Sequence, residues 1–83
     1  MIFSIVHNGS THLIVDFDEI IGIAKEYCHP PRYPASYYTI ILLKNGGRYK
    51  SAFTMDDEQF NKIRDNWLLA RAMNNGQDVI IEV

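Results

Sequence analysis

The sequence has a single cysteine, Cys28, among its 83 residues. One thiol excludes an internal disulfide, on which small secreted domains usually depend, and it is too few for a zinc site made of cysteines. No apolar run approaches the ~20 residues that a helix needs to cross a bilayer, and the first residues include neither a basic leader nor a cleavage site. We therefore expect a soluble, cytoplasmic protein without membrane contact.

A large excess of charge is also lacking. The formal net charge is -2 and 47% of the residues are hydrophobic, which is typical of a folded chain and not of a disordered tail. Chains of this size bury only about 60% of their unfolded surface and support one core. The sequence predicts a single domain over residues 1–83.

Loops that bind calcium or phosphate are absent or incomplete. Asp16 and Asp18 resemble the start of an EF-hand loop. Such a loop then requires Asp or Asn at its fifth position and Gly at its sixth, where this sequence has Ile20 and Ile21. The glycines at 46–47 are not followed by the Lys-Ser or Lys-Thr pair of a phosphate loop, so they indicate a turn.

Histidines and the cysteine give a weak signal for chemistry. His7 and His12 would be diagonal neighbours in a hairpin, but no pair of residues has the spacing of a zinc site. Cys28 precedes His29, yet adjacent side chains of an extended chain point apart, so the thiol gains no base from this neighbour. We expect no metal, no cofactor and no catalysis; a small enzyme or redox protein using Cys28 is the alternative.

An Asn-Gly pair at 8–9 separates two β-rich runs and predicts a hairpin, because both turn positions favour positive φ. A regular two-residue turn would place Phe3 opposite Ile14 and on one face with Ile5. The other face would also be apolar, so this hairpin is either covered on both sides or adhesive on one.

A second hairpin is predicted around residues 45–47, between runs at 37–44 and 48–54. With Leu42 opposite Tyr49 and Ile40 opposite Ser51, that face would belong to the core. The opposite face would then be exposed to solvent or to a partner, with Tyr37, Thr39, Ile41, Leu43, Arg48, Lys50 and Ala52.

Three further elements complete the predicted fold. A strand bent at Gly22 spans 20–27 and is ended by an exposed loop at 28–36 that contains all three prolines. A helix begins near Thr54, three residues before Asp57, and ends near Met73, before a short last strand at 78–83. The class is α+β: a small antiparallel or mixed β-sheet, with two Asn-Gly hairpins and additional strands, packed by one C-terminal α-helix.

Helical periodicity divides the apolar residues of this helix. Leu68 and Leu69 point to opposite sides of the core stripe, so one sheet cannot bury both. They are candidate contacts of a homodimer; the alternative is that another segment covers one of them, or that a lone exposed leucine has no role. The predicted core stripe consists of Phe60, Ile63, Trp67 and Ala70.

Charge and tyrosines are segregated along the chain. Residues 1–24 contain no Lys or Arg, whereas residues 25–50 contain five bases, one acid and all five tyrosines. Tyr and Arg are enriched where proteins bind one another, which indicates a recognition surface for an acidic protein. The alternative is that tyrosines simply favour strands, with Tyr38 and Tyr49 in the core. The predicted partner-binding residues are Tyr27, Arg32, Tyr33, Tyr37, Lys44, Arg48 and Lys50.

These observations predict a small noncatalytic protein-binding module. Its size alone suggests an accessory or inhibitory factor of the kind that phages and mobile elements use. Single-stranded nucleic acid is a second choice of partner, since tyrosines stack on bases and cations neutralise phosphates. The acidic helix start and the overall negative charge disfavour it.

Overall fold

The computed structural model describes residues 1–28, 36–73 and 76–83. Its α+β class confirms the prediction, although the strands form two three-stranded sheets and not one. The loop at 29–35, including Arg32 and Tyr33, lies outside the described residues. The elements are β1 (Ile2–His7), β2 (Ser10–Asp16), β3 (Ile20–Tyr27), β4 (Tyr37–Leu43), β5 (Arg48–Lys50), α1 (Asp57–Met73) and β6 (Val79–Glu82).

The mixed sheet has the strand order β2-β1-β6. Strands β1 and β2 form the predicted hairpin: Asn8 and Gly9 have φ of 51° and 77°, and His7 pairs with Ser10. The predicted last strand lies parallel to β1, with Phe3 opposite Val79.

A bulge in β2 makes the predicted register of this hairpin wrong beyond its first pairs. Val6 pairs with Thr11 but Ile5 pairs with Leu13, so His12 is an extra residue. The shift by one residue transfers the following side chains to the opposite faces. Ile14, predicted to share a face with Ile5, lies on the opposite face and is 66% exposed.

The antiparallel sheet has the order β3-β4-β5. The bend predicted at Gly22 is present as a register irregularity between Ile20 and Gly22. At the β4–β5 turn, Gly46 N–H donates to the Leu43 carbonyl and Leu43 N–H donates to the Gly47 carbonyl, both at 3.0 Å. These two bonds enclose a loop of three residues. Gly46 has positive φ, at 84°, as is typical of a three-residue loop that ends in a bulge.

This three-residue loop makes the predicted pairing of the second hairpin wrong by one residue. Leu42 pairs with Arg48, and Ile41 pairs with Tyr49. Thr39 and Ile41, on the face of β4 predicted to be exposed, are inaccessible to solvent, and Ile40 on the other face is also buried, at 3% exposed.

Helix α1 begins with a capping box two residues later than the sequence predicts. Asp56 Oδ1 accepts the Gln59 N–H at 2.9 Å, and Gln59 Oε1 accepts the Asp56 N–H at 3.1 Å. The pair is thus Asp56 and Gln59, and not Thr54 and Asp57. The helix ends at Met73, as predicted. Among residues 1–28, 36–73 and 76–83, no helix is long and apolar enough to span a bilayer.

One core lies between α1 and the two sheets. The predicted stripe of α1 is confirmed, since Phe60, Ile63 and Trp67 are buried and Ala70 packs against them. The strands and connecting segments add Phe3, Ile5, Phe17, Ile20, Ile41, Met55 and Ile81.

The tip of the first hairpin packs against the segment that follows β5. The Tyr49 hydroxyl donates to the carbonyl of the bulged His12 at 2.6 Å. The His7 ring stacks on Phe53 with centroids 3.9 Å apart. These contacts hold the mixed sheet against the antiparallel sheet. One face of the mixed sheet thereby lies towards the core.

Candidate functional site

The predicted recognition surface is divided between two faces of the antiparallel sheet. Tyr37 is only 6% exposed, so the expectation that it faces a partner is wrong; the changed register places it beside Thr39 on the buried face. Tyr27 is exposed on the same side, with its ring edge-on to Tyr37 at 5.0 Å between centroids. Arg48 and Lys50 lie on the opposite face, because their partners Leu42 and Ile40 alternate with Tyr37 and Thr39 along β4.

Tyr37 belongs to a cluster in which each charge has a partner. Lys25 Nζ lies 2.8 Å from Asp57 Oδ1 and 4.3 Å from the Tyr37 ring centroid. The hydrogen bond from Lys25 holds the pKa of Asp57 below its ordinary value. Burial, followed by the hydrogen bond to Asp57, raises the pKa of Tyr37. This arrangement joins β3, β4 and the start of α1, and its charges are already satisfied.

Lys44, Arg48 and Lys50, called here the hairpin cations, lie in β5 and in the loop before it, and they are exposed. Lys50 Nζ is 3.1 Å from Glu26 Oε2 and 4.3 Å from the Tyr38 ring centroid, so its ammonium group occupies a ring face that a base would need for stacking. The role of the hairpin cations in binding a partner stays a prediction.

Cys28 is buried, at 5% exposed, in contrast to the accessible thiol that redox chemistry requires. The rings of His7 and His12 are 5.8 Å apart and both pack on Phe53. His7 Nδ1 donates to the Val83 carbonyl oxygen, 2.9 Å away. Within the described part of the chain, no cluster of three or more His, Cys, Asp or Glu side chains is placed to hold a metal.

A different surface is available on the mixed sheet. Strand residues alternate between the two faces, so Phe3 and Ile5 point into the core while Ile2, Ser4 and Val6 point away from it. We call this outward side the open face. Its side chains form rows across β2, β1 and β6, and the N–H of Ile2 donates to Asp78 Oδ1 at 2.8 Å. From one end to the other, the rows are Asp16, Ile2 and Asp78; Ile14, Ser4 and Ile80; and Thr11, Val6 and Glu82.

The open face has the shape of a trough along β1. Ser4 is small and lies between Ile14 and Ile80, each of which is 66% exposed. These two side chains are two strands apart, which is about 10 Å at the usual strand spacing. They form the walls of the trough, and Ile2, Ser4 and Val6 form its floor.

Carboxylates occupy three corners of the open face: Asp16, Asp78 and Glu82. Asp16 accepts the N–H of Asp18, and no cation of the described residues forms an ion pair with any of the three corner carboxylates. The nearby Lys62 donates to the main-chain carbonyl of Glu82 at 2.6 Å. The surface is therefore apolar along its centre and anionic at its rim.

A groove beside the open face includes one of the predicted oligomer contacts. It has a volume of about 290 Å³ and lies between the C-terminal half of α1 and β6. Leu68 and Leu69 are both exposed, and Leu69 lines the groove. We call it the helix groove; its lining includes Met1, Leu69, Ala70, Met73, Val79 and Ile80. Self-association through Leu68 and Leu69 stays a prediction.

The sequence contains only a partial signal for the open face. Apolar residues on both sides of β1 predict a hairpin that is either covered on both sides or adhesive on one, and they group Ile2 with Val6 on one side. Ile14 was assigned to the wrong face because of the bulge at His12. Ile80 joins this face through a pairing between β1 and β6 that local patterns do not encode.

Comparisons with protein-family models, with curated proteins and with solved structures find no match to this chain.

Proposed function

We propose that this protein is a noncatalytic module that binds another protein through the open face of its mixed sheet. The observation that carries the proposal is the exposure of Ile14 and Ile80 on either side of Ser4. Removing apolar surface from water drives association, at about 25 cal/mol per Å². Contiguous apolar surface with a polar rim is characteristic of protein-binding sites.

Two other functions have less support. A nucleic acid would bring phosphates towards the corner carboxylates, and on the antiparallel sheet Lys50 is already paired with Glu26. A redox role would use Cys28, which is buried. A module that acts by binding to its partner, without catalysis, fits the accessory or inhibitory role expected from its size. The single cysteine supports a cytoplasmic location.

The proposal is tested by capture of partners with matched variants. Tagged wild-type protein, Ile14→Ser/Ile80→Ser and Lys44→Ser/Arg48→Ser would each be incubated with lysate of the source cells, and the captured proteins would be quantified by mass spectrometry. All four positions are exposed, so both variants should keep the wild-type circular dichroism spectrum.

We expect the isoleucine variant to lose captured proteins that the hairpin-cation variant retains. The reverse pattern would place the contact at the hairpin cations and an acidic partner there, and it would overturn the assignment to the open face. Equal capture by all three proteins would exclude both surfaces.

A further inference from the structure

Building on the proposed function, we infer that the open face receives an amphipathic helix with basic flanks, supplied by a partner protein. Three features of the described residues determine this occupant: the isoleucines left exposed on the uncovered side of the sheet, the dimensions of the trough, and the sign of its rim.

The mixed sheet is covered on one face only. Sheets made entirely of parallel strands have both faces covered, usually by helices, whereas a sheet that includes an antiparallel pair can leave one face open. In this protein the core side is covered, with Phe3, Ile5 and Ile81 buried in it. The other side leaves Ile14 and Ile80 in solvent. A helix on the open face would bury both isoleucines and give this sheet a second covering layer.

The dimensions of the trough match a helix. Its walls, Ile14 and Ile80, are about 10 Å apart, and a helix with its side chains is about 10–12 Å in diameter. The six residues of β1 extend over about 20 Å, which corresponds to about 13 helical residues. The small Ser4 leaves room for one large apolar side chain between the walls.

Charge determines the sign of the helix flanks. Asp16, Asp78 and Glu82 form the rim, and β1 and β2 contain no Lys or Arg. The ammonium group of Lys62, bound to the Glu82 carbonyl, offsets one of these three charges and leaves the rim negative. Lys or Arg beside the apolar stripe of a docked helix would meet these carboxylates. An anionic lipid surface would be repelled, as would the open face of a second copy, which has the same corner charges. Helix α1 of a second copy is also a poor occupant of the open face, because its exposed side has the acids Glu58 and Asp65 as well as the bases Lys62 and Arg71.

The test uses two synthetic helical peptides of about 14 residues. Both have leucines at helical spacing on one side; the remaining positions are lysine in one peptide and glutamate in the other. Binding to the intact protein is followed by fluorescence anisotropy. We expect the lysine peptide to bind at least about tenfold more tightly, and its affinity to fall as salt is raised from about 50 to about 500 mM.

Two pairs of variants locate the contact. Asp16→Asn/Glu82→Gln removes two corner charges, and Asn at position 16 can still accept the Asp18 N–H. This variant should weaken binding of the lysine peptide by about fivefold or more. Glu58→Gln/Asp65→Asn removes the same charge from α1 and should leave the affinity unchanged within about twofold. Ile14→Ser/Ile80→Ser should abolish binding.

Several results would overturn the inference. If the glutamate peptide bound as tightly and Ile14→Ser/Ile80→Ser still abolished binding, the open face would remain a protein-binding site without a preference for basic helices, and the proposed function would stand. Unchanged binding of the lysine peptide to the isoleucine variant would place the peptide elsewhere. Binding to phosphatidylglycerol vesicles, or a dimer by light scattering, that depends on Ile14 and Ile80 would identify a membrane or a second copy as the occupant.

Discussion

Ser51 joins β4 to the segment that follows β5 through a single buried hydroxyl group. Its Oγ accepts the Thr39 N–H at 3.0 Å and donates to the Phe53 carbonyl at 2.8 Å. Thr39 is fully inaccessible to solvent, so water cannot replace the lost acceptor. The Ser51 hydroxyl group therefore holds β4 against the segment that precedes α1.

Replacing Ser51 by alanine should therefore destabilise the protein. An unsatisfied buried N–H group costs about 1–3 kcal/mol, so we expect Ser51→Ala to lower the free energy of unfolding by that amount. Urea denaturation followed by the fluorescence of Trp67 measures it. The exposed Ser10→Ala is the control and should change stability by less than about 0.5 kcal/mol; equal midpoints for the two variants would contradict this role of Ser51.

The ion pair of Asp57 predicts a pH dependence. The bond from Lys25 lowers the pKa of Asp57 in the folded state, so at acidic pH the unfolded state binds more protons. The stabilisation is complete above the unfolded pKa of about 4 and is lost as pH falls through the folded pKa. The stability difference between wild type and Asp57→Asn should therefore be largest near neutral pH and shrink towards pH 2 or so.

Lys25→Gln provides an independent check of the same pair. It removes the cation that lowers the pKa of Asp57, so its stability relative to wild type should follow pH in the same direction. Urea midpoints measured across the acidic range decide the matter. A difference in stability between wild type and either variant that stays constant with pH would show that the ion pair contributes nothing to the loss of stability in acid.

At the scale of the element, the capping box of α1 gives a graded prediction. Asp56→Ala removes the acceptor for the Gln59 N–H and should cost about 0.5–2 kcal/mol. Asp56→Asn keeps an oxygen at the same position and should retain most of that stability. Thermal unfolding followed by circular dichroism compares the two; equal losses would mean that charge at the helix start matters more than the hydrogen bond.

The elements were predictable, but their pairing was not. Period and turn residues located β1 to β6 and α1 because these signals are local. The same Asn-Gly pair, however, makes a two-residue turn at Asn8 and a three-residue loop at Asn45, where Asn45 Oδ1 accepts the Gly47 N–H at 2.7 Å. A difference of one residue reverses the pairing of the following side chains. The three-residue loop therefore changes the predicted register of β4, and the bulge at His12 changes that of β2, even though both hairpins exist.

The candidate site was less predictable than the elements. Clustering of tyrosines in the sequence did not become clustering in space, since Tyr37 is buried on one face of β4 and Arg48 lies on the other side of the sheet. Tertiary packing decided which aromatic rings were covered. That one sheet cannot bury both Leu68 and Leu69, in contrast, follows from helical geometry alone; the structure leaves both exposed, where the prediction required only one.

For the whole molecule, the helix groove gives a prediction about assembly. As an oligomer contact, it should produce a mass of two chains at high protein concentration, measured by light scattering. Leu69→Lys places a charge in the groove lining and should return the mass to one chain. Ala72→Lys adds the same charge at an exposed position outside the lining and should have no effect. A wild-type mass of one chain would exclude self-association here.

The parallel neighbour of β1 has a consequence for when recognition becomes possible. Phe3 pairs with Val79, so nearly the whole chain separates the two strands in sequence, and parallel pairing over such a separation is intrinsically slow. Until β6 has paired with β1, the wall at Ile80 is missing from the trough. Under the proposed function, a partner that needs both walls would therefore select fully folded molecules.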